Sequence, residues 1–228
     1  MKIGIQGELG AYSHIAVNNL YKNAEIKTCA TFEETFKQAY QDENFKIIIP
    51  IENSLAGRVA DIHYLLPKFK LQIHGEYFLN VEHNLLCKPE ATINDIKYVR
   101  SHAQAIAQCQ NIINKKNFQS IISVDTAGSA KDLAEGNDKT IAAIASELSA
   151  QIYKLKILEK NIEDEKSNVT RFLIMGKNVE QPEFKEEKTF ITSCIFRLKS
   201  EPSALYKCLG GFATNQINLT KLESFSVK

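Results

Sequence analysis

At 228 residues the chain is long for one simple domain and short for two full ones, so a divided core with an appendage is the expected organisation. Its 44% hydrophobic and 24% charged residues exclude a disordered chain and suffice to bury a sizeable core. A formal net charge of +1 supplies no broad field for nucleic acid or an anionic membrane surface, which leaves a small molecule as the expected partner.

Lys2–Gln6 is an apolar-rich run, punctuated by Gly7 and Gly10 before a helical pattern that starts near Ser13. Glu25–Cys29 reads as a strand, and Thr31-Phe-Glu-Glu34 as a helix start with capping-box spacing. Lys46–Pro50 reads as a buried strand; Glu52-Asn-Ser-Leu-Ala-Gly57 then feeds a helix through Ile62, Leu65 and Leu66 that Pro67 should stop. Further strands are expected at residues 71–79, 81–87, 96–101, 121–124, 140–144 and 171–175. Helices beginning near His102, Ala127 and Ser146 separate them, and Gly136 sits where a C-cap belongs. The alternation predicts an α/β fold, mostly parallel, with helices on both faces and ligands beyond the C-terminal strand ends. Polar clusters recur at those ends, at residues 6–13, 52–54, 101–104, 125–126 and 168–170, and predict one cleft. The charged stretch 179–187, with Pro182, reads as a linker. After it a strand at 189–198, a helix at 204–213 and a strand at 218–225 are expected to make a short α+β piece.

The cysteines at 29, 87, 109, 194 and 208 are scattered, without metal-ligand spacing, which suits a reduced cytoplasmic setting. The opening run is too broken by Gly4, Gln6 and Glu8 for a signal peptide, and no stretch is apolar enough to span a bilayer. No His-Glu-x-x-His, Walker loop or dinucleotide fingerprint occurs, so no metal or cofactor is expected. What recurs is a hydroxyl or amide side chain at a helix start: Ser13, Asn53 with Ser54, Ser101 with Gln104, and Thr126. Free N–H groups and the helix dipole make such ends carboxylate receptors. Each is equally an ordinary N-cap, and only their number, on separate elements, favours a binding site.

Gly10-Ala-Tyr-Ser13, Pro50-Ile-Glu-Asn-Ser-Leu-Ala-Gly57, Val81-Glu-His-Asn-Leu85, Ser101-His-Ala-Gln104, Asp125-Thr-Ala-Gly128, Ala142-Ala-Ile-Ala-Ser146 and Asn168-Val-Thr-Arg-Phe172 together resemble, in order, the prephenate dehydratase pattern over residues 1–176. The resemblance implies a two-lobed catalytic domain of the type II periplasmic-binding-protein kind at residues 1–178, lobe one being 1–76 with 160–178 and lobe two 77–159. It implies conversion of prephenate to phenylpyruvate, with loss of carbon dioxide and water, in phenylalanine biosynthesis; arogenate and a non-catalytic carboxylate sensor are the alternatives. Thr170 matches the family's catalytic threonine, and Glu52 and Asn53 match polar cleft positions. A threonine hydroxyl suits hydrogen bonding to the departing oxygen better than full proton transfer.

Glu52 either orients Asn53 or acts on the leaving hydroxyl, and Arg171 either grips a carboxylate or locks its strand end. Ser13, Ser54, Ser101, Gln104, Thr126 and Phe172 complete the expected substrate contacts, although Phe172 also reads as packing and Ala103 stands where the family usually has proline. His102 and His83 read as structural. The tail, 188–228, resembles a partial ACT domain through Glu201-Pro-Ser-Ala-Leu205 and Asn218-Leu-Thr-Lys-Leu-Glu-Ser224. Ser203 replaces the turn glycine there and Phe225-Ser226 replaces Arg-Pro. Ser203, Ala204, Leu205, Glu223 and Ser224 are the positions where phenylalanine would act as effector. An incomplete ACT half leaves strand edges for another chain to cover, so a homodimer or homotetramer is expected.

Overall fold

The computed structural model describes residues 1–178, 183, 185–187 and 189–224. The chain divides into two compact units, Met1–Glu180 and Gln181–Lys228. The first holds two α/β lobes. In lobe one, β1 (Lys2–Gln6) pairs in parallel with β2 (Glu25–Cys29) and β3 (Phe45–Asn53). The helices α1 (Tyr12–Leu20) and α2 (Phe32–Gln41) connect them, a two-residue β4 (Gly57–Arg58) flanks β3, and α3 (Ala60–Phe69) leads to β5 (Gln72–Asn80). Lobe two contains β6 (Asn84–Cys87), β7 (Tyr98–His102), α4 (Ala103–Ala107), α5 (Gln110–Lys116), β8 (Gln119–Ser123), α6 (Thr126–Glu135), β9 (Ile141–Ala145), α7 (Glu147–Tyr153) and β10 (Lys156–Glu159). The chain then returns as β11 (Val169–Gly176) between β3 and β5, giving sheet orders β2-β1-β3-β11-β5 and β10-β6-β9-β7-β8.

The sheets are mixed rather than mostly parallel. A strand returning through the edge by which its neighbours leave must run against them, and β11 is antiparallel to both β3 and β5. In lobe two β6 is antiparallel to β9 and β10. Because β5 stays in the first sheet to Asn80, the outward crossing is residues 81–83, beyond the expected 76, and the strand expected from Val81 begins at Asn84.

Period-two alternation assigns each strand residue to a face. Phe172 and Ile174 join Ile48, Ile5 and the α1 residues Ala16 and Val17, while Leu173 and Met175 join Ile47, Ile49 and residues of α2 and α3. In lobe two Ala142 and Ile144 face α4 and α5, whereas Ala143 and Ala145 face α6 and α7. Both sheets are thus covered on both faces, which is why central strands such as β3, β9 and β11 carry continuous apolar runs.

Local signals mostly hold. Thr31 Oγ1 accepts from Glu34 N at 3.1 Å, and the Glu34 carboxylate reaches back to Ala30 N at 3.0 Å, one residue before the cap. Pro67 does not stop α3; the helix runs to Phe69 and ends at Lys70, whose φ of 49° breaks it. In the second unit α8 (Ala204–Thr214) forms as expected, with the Phe196 and Phe212 rings 6.1 Å apart. The flanking strands do not: described residues 189–199 and 217–224 carry no strand pairing, since fewer than fifty residues supply neither core nor partner edge. Parts of the expected linker (179–182, 184), Lys188 and residues 225–228 lie outside the described residues.

Candidate active site

Where β3 and β11 end side by side, the register sets Asn53 opposite Thr170 and Glu52 opposite Arg171. Alternation therefore sends these two pairs to opposite faces. On one face Thr170 is 9% exposed. The turn after β3 fixes the Asn53 amide, because Leu55 N and Ala56 N donate to its Oδ1 at 3.0 and 2.9 Å, a local closure typical of asparagine. Its Nδ2 is thereby turned to donate to Asn168 Oδ1 at 2.6 Å and to Thr170 Oγ1 at 2.9 Å. Thr170 thus receives a hydrogen bond, which leaves its own O–H to point elsewhere.

The polar line continues into lobe two. Asn168, wholly buried, donates from Nδ2 to Gln108 Oε1 at 3.0 Å. The same oxygen lies 2.9 Å from His83 Nε2, and His83 Nδ1 lies 2.7 Å from the Tyr12 hydroxyl. Burial lowers the His83 pKa, against smaller opposing effects of Gln108 and Glu163. Burial likewise raises the Tyr12 phenol well above its usual value and pushes the neighbouring Cys109 thiol up, so both stay protonated at neutral pH. Ser54 Oγ donates to Ser167 O at 2.8 Å and accepts from Val169 N at 2.9 Å, tying the 167–169 segment to the end of β3.

On the opposite face the Arg171 guanidinium is held by two carboxylates, NH1 to Glu52 at 3.0 Å and NH2 to Glu76 at 2.6 Å, with Nε also bonding Glu76 at 2.7 Å. It clamps β11 to both neighbours, the arrangement of a strand lock. Glu52, paired with Arg171 and turned from Thr170, is not poised to act on a leaving hydroxyl there. Phe172 is 1% exposed among Ile3, Ile5 and Val17; it is core, not a substrate contact, and truncation to alanine would cost about 3–5 kcal/mol.

Several expected helix-start donors are also relocated. Ser101 lies wholly buried in β7 and donates to Ile144 O at 2.7 Å. Ala11, not Ser13, caps α1, and Asp125, not Thr126, caps α6 through Gly128 N. Gln104 is exposed on α4. Gln108 is a site member outside the expected polar clusters, whereas Asn168 lies within the expected cluster 168–170 without an assigned role. Gln108 lies four residues after Gln104, one helical turn along, and Asn168 opens the Asn-Val-Thr-Arg-Phe string. In the second unit Ser203, with φ 65°, precedes α8, Ala204 and Leu205 open it, and Glu223 pairs with Lys221 at 3.2 Å.

The β1–α1 loop joins the lobes. Gly10 O accepts from Ser146 Oγ at 2.6 Å and Ser149 Oγ at 3.1 Å, Leu9 O accepts from Tyr153 OH at 2.9 Å, and Glu8 pairs with Lys131 at 3.1 Å. Beside the crossing strands lies a cavity of about 400 Å³ that includes Tyr12, Leu79, Glu82 and Ser146; Thr170, Asn53 and Gln104 do not line it. Among the described residues no group of three His, Cys, Asp or Glu side chains could hold a metal ion.

A hydroxyl donor supported by a chain of amides at a two-lobe junction suits the departure of an oxygen. Known proteins bear on this. The prephenate dehydratase family pattern matches residues 3–180. A bifunctional N-acyl-homoserine lactone acylase/prephenate dehydratase of Komagataeibacter europaeus is 38% identical over 99% of this chain and 80% of its own length. Arogenate dehydratase/prephenate dehydratase 2 of Arabidopsis thaliana is 40% identical over 98% of this chain, which spans 58% of that protein. The structure of an Arthrobacter aurescens prephenate dehydratase in complex with L-Phe superposes with a TM-score of 0.86, covering 100% of this chain and 76% of the other at 24% identity, and shows the shared fold. The chain belongs to the prephenate dehydratase family, a family of lyases, over most of its length.

Proposed function

We propose that this protein converts prephenate to phenylpyruvate, with Thr170 assisting loss of the ring hydroxyl. As the ring C–O bond breaks, the ring carboxylate leaves as carbon dioxide, its bonding electrons enter the ring, and the departing oxygen takes up a proton to leave as water. Aromatisation drives the reaction, so the protein need only hold the substrate and stabilise the charge developing on the departing oxygen. The supporting observation is the 2.9 Å bond from Asn53 Nδ2 to Thr170 Oγ1: with one of its two lone pairs engaged, the threonine keeps its hydrogen for another acceptor. One such preorganised donor contributes about 10²–10³ in rate. Asn53 acts through Thr170, and Glu52 through its pair with Arg171, which holds the strand end.

Of the remaining expected contacts, Ser13, Ser54, Gln104 and Thr126, which follow β1, β3, β7 and β8 in the chain, are assigned to substrate binding. The second unit is assigned as a partial ACT-like segment with phenylalanine as effector and self-association to a homodimer as its role. Exposed apolar residues such as Ile191, Ile195, Leu205 and Tyr206 support the association. A cytoplasmic location fits the scattered cysteines.

Purified protein mixed with prephenate should release phenylpyruvate, followed by its absorbance in alkali, and should act faster on prephenate than on arogenate. Preference for arogenate would replace the substrate assignment, and binding of either without turnover would make the protein a carboxylate sensor. A phenylalanine titration with sedimentation at several concentrations tests the second unit.

A further inference from the structure

Building on the prephenate reading, we propose that His83 is a positioning residue for the reaction: a hydrogen held on its Nε2 fixes the direction of the amide chain that ends on Thr170. Two backbone groups set that direction. The amides of Leu55 and Ala56 can only donate, and both donate to Asn53 Oδ1, so Asn53 must present Nδ2 to Asn168 and Thr170. Asn168 then accepts through Oδ1 and must donate through Nδ2 to Gln108 Oε1. That oxygen is an acceptor only, so a ring nitrogen 2.9 Å from it has to carry a hydrogen.

A neutral ring with its hydrogen on Nδ1 would set a bare lone pair against the Gln108 oxygen. Turning Gln108 over would oppose its NH₂ to that of Asn168, and turning Asn168 would pass the conflict to Asn53. Asn53 cannot turn, because its two backbone donors would then face an NH₂. The position of one hydrogen on His83 is thus coupled through three side-chain amides to the N–H that Thr170 receives. His83 is 2% exposed and Asn168 fully buried, so bulk water does not replace a lost partner.

The ring is gripped from its other edge. Tyr12 OH lies 2.7 Å from Nδ1 and 2.9 Å from Glu82 O, its ring meets the imidazole edge-on at 5.6 Å, and His83 N donates to Glu163 at 2.8 Å. Burial disfavours the doubly protonated ring, so with the hydrogen on Nε2 the bare Nδ1 takes the single Tyr12 hydrogen, which is then turned away from the Glu82 carbonyl that it also reaches at 2.9 Å.

The test combines imidazole ¹⁵N–¹H spectra of the full-length wild type with kinetics of His83→Gln and His83→Asn. The spectra are expected to show the hydrogen on Nε2; a neutral Nδ1–H ring overturns the proposal whatever the substrate is. A glutamine amide can occupy the place of Nε2, whereas asparagine reaches only that of Nδ1. His83→Asn is therefore expected to lower kcat about 10–100-fold with KM little changed, and His83→Gln to stay within about threefold of wild type. Equal kcat losses in the two variants, following their melting temperatures, would reduce His83 to packing and overturn it. Should His83→Asn not fold, the wild-type spectrum decides alone. A wild type that shows the Nε2–H signal yet leaves prephenate untouched removes the substrate assignment and not the placement of the hydrogen.

Discussion

Replacing Thr170 by valine keeps the shape of the side chain and removes both of its hydrogen-bonding roles. The lost O–H is the donor assigned to the departing oxygen, and its absence is expected to lower kcat about 10²–10³-fold, or about 3–4 kcal/mol of transition-state stabilisation. The lost acceptor strands one Asn53 N–H in a pocket where Thr170 is only 9% exposed, costing about 1–3 kcal/mol of folding stability. In a unit of this size about 2 kcal/mol lowers Tm by roughly 4–8 °C. Phenylpyruvate absorbance in alkali reads the first effect and a circular-dichroism melt the second, and Thr170→Ser should recover most of both. Wild-type kcat in Thr170→Val, or a change confined to KM, refutes the assignment.

Arg171→Met removes the guanidinium that both the Glu52 and the Glu76 carboxylates bond at a partly buried site. It should cost about 2 kcal/mol by denaturant titration, between the values for exposed and buried pairs, with KM for prephenate little altered; a hundredfold rise in KM at unchanged stability would restore Arg171 as a carboxylate ligand. Gly10→Ala places a Cβ 2.8 Å from the Ser149 backbone at a φ of 92°, where a side chain alone costs about 1–2 kcal/mol. It should lower Tm and raise KM by prising the β1–α1 loop from α7, and an unchanged Tm would count against that contact. Burial holds the pKa values of His14, His74 and His83 below their ordinary 6.5. Below pH 6.5 the unfolded chain therefore binds more protons than the folded one, and stability, full above that pH, falls as pH drops toward the folded values. Tm measured from pH 8 to 5.5 should be level and then decline, less steeply in His83→Gln; a rise on acidification contradicts the sign.

Much of lobe one was legible because its signals are local. Thr31 and Glu34 close their cap as their spacing requires, and Ile47, Ile48 and Ile49 are all fully buried as an uninterrupted apolar run implies. Asn53 and Thr170 were named from their strings, and they meet. Where the sequence misled, a long-range fact intervened. Pro67 signals a helix stop in its local sequence, yet the helix ends at Lys70 through its backbone conformation. Ser101 looked like a cleft donor, yet the β9 carbonyl of Ile144, 43 residues away, takes its hydrogen.

The sequence by itself determined most elements of the first unit, the family, and the pair of side chains at the strand ends, because capping, period-two alternation and motif strings act over a few residues. Only the tertiary structure decided that β11 runs against its neighbours and that Gln108, Asn168 and His83 line up behind Asn53. Those outcomes depend on strand register and on partners 25–117 residues apart, and a hydrogen bond acquires its direction only once both of its ends are in place.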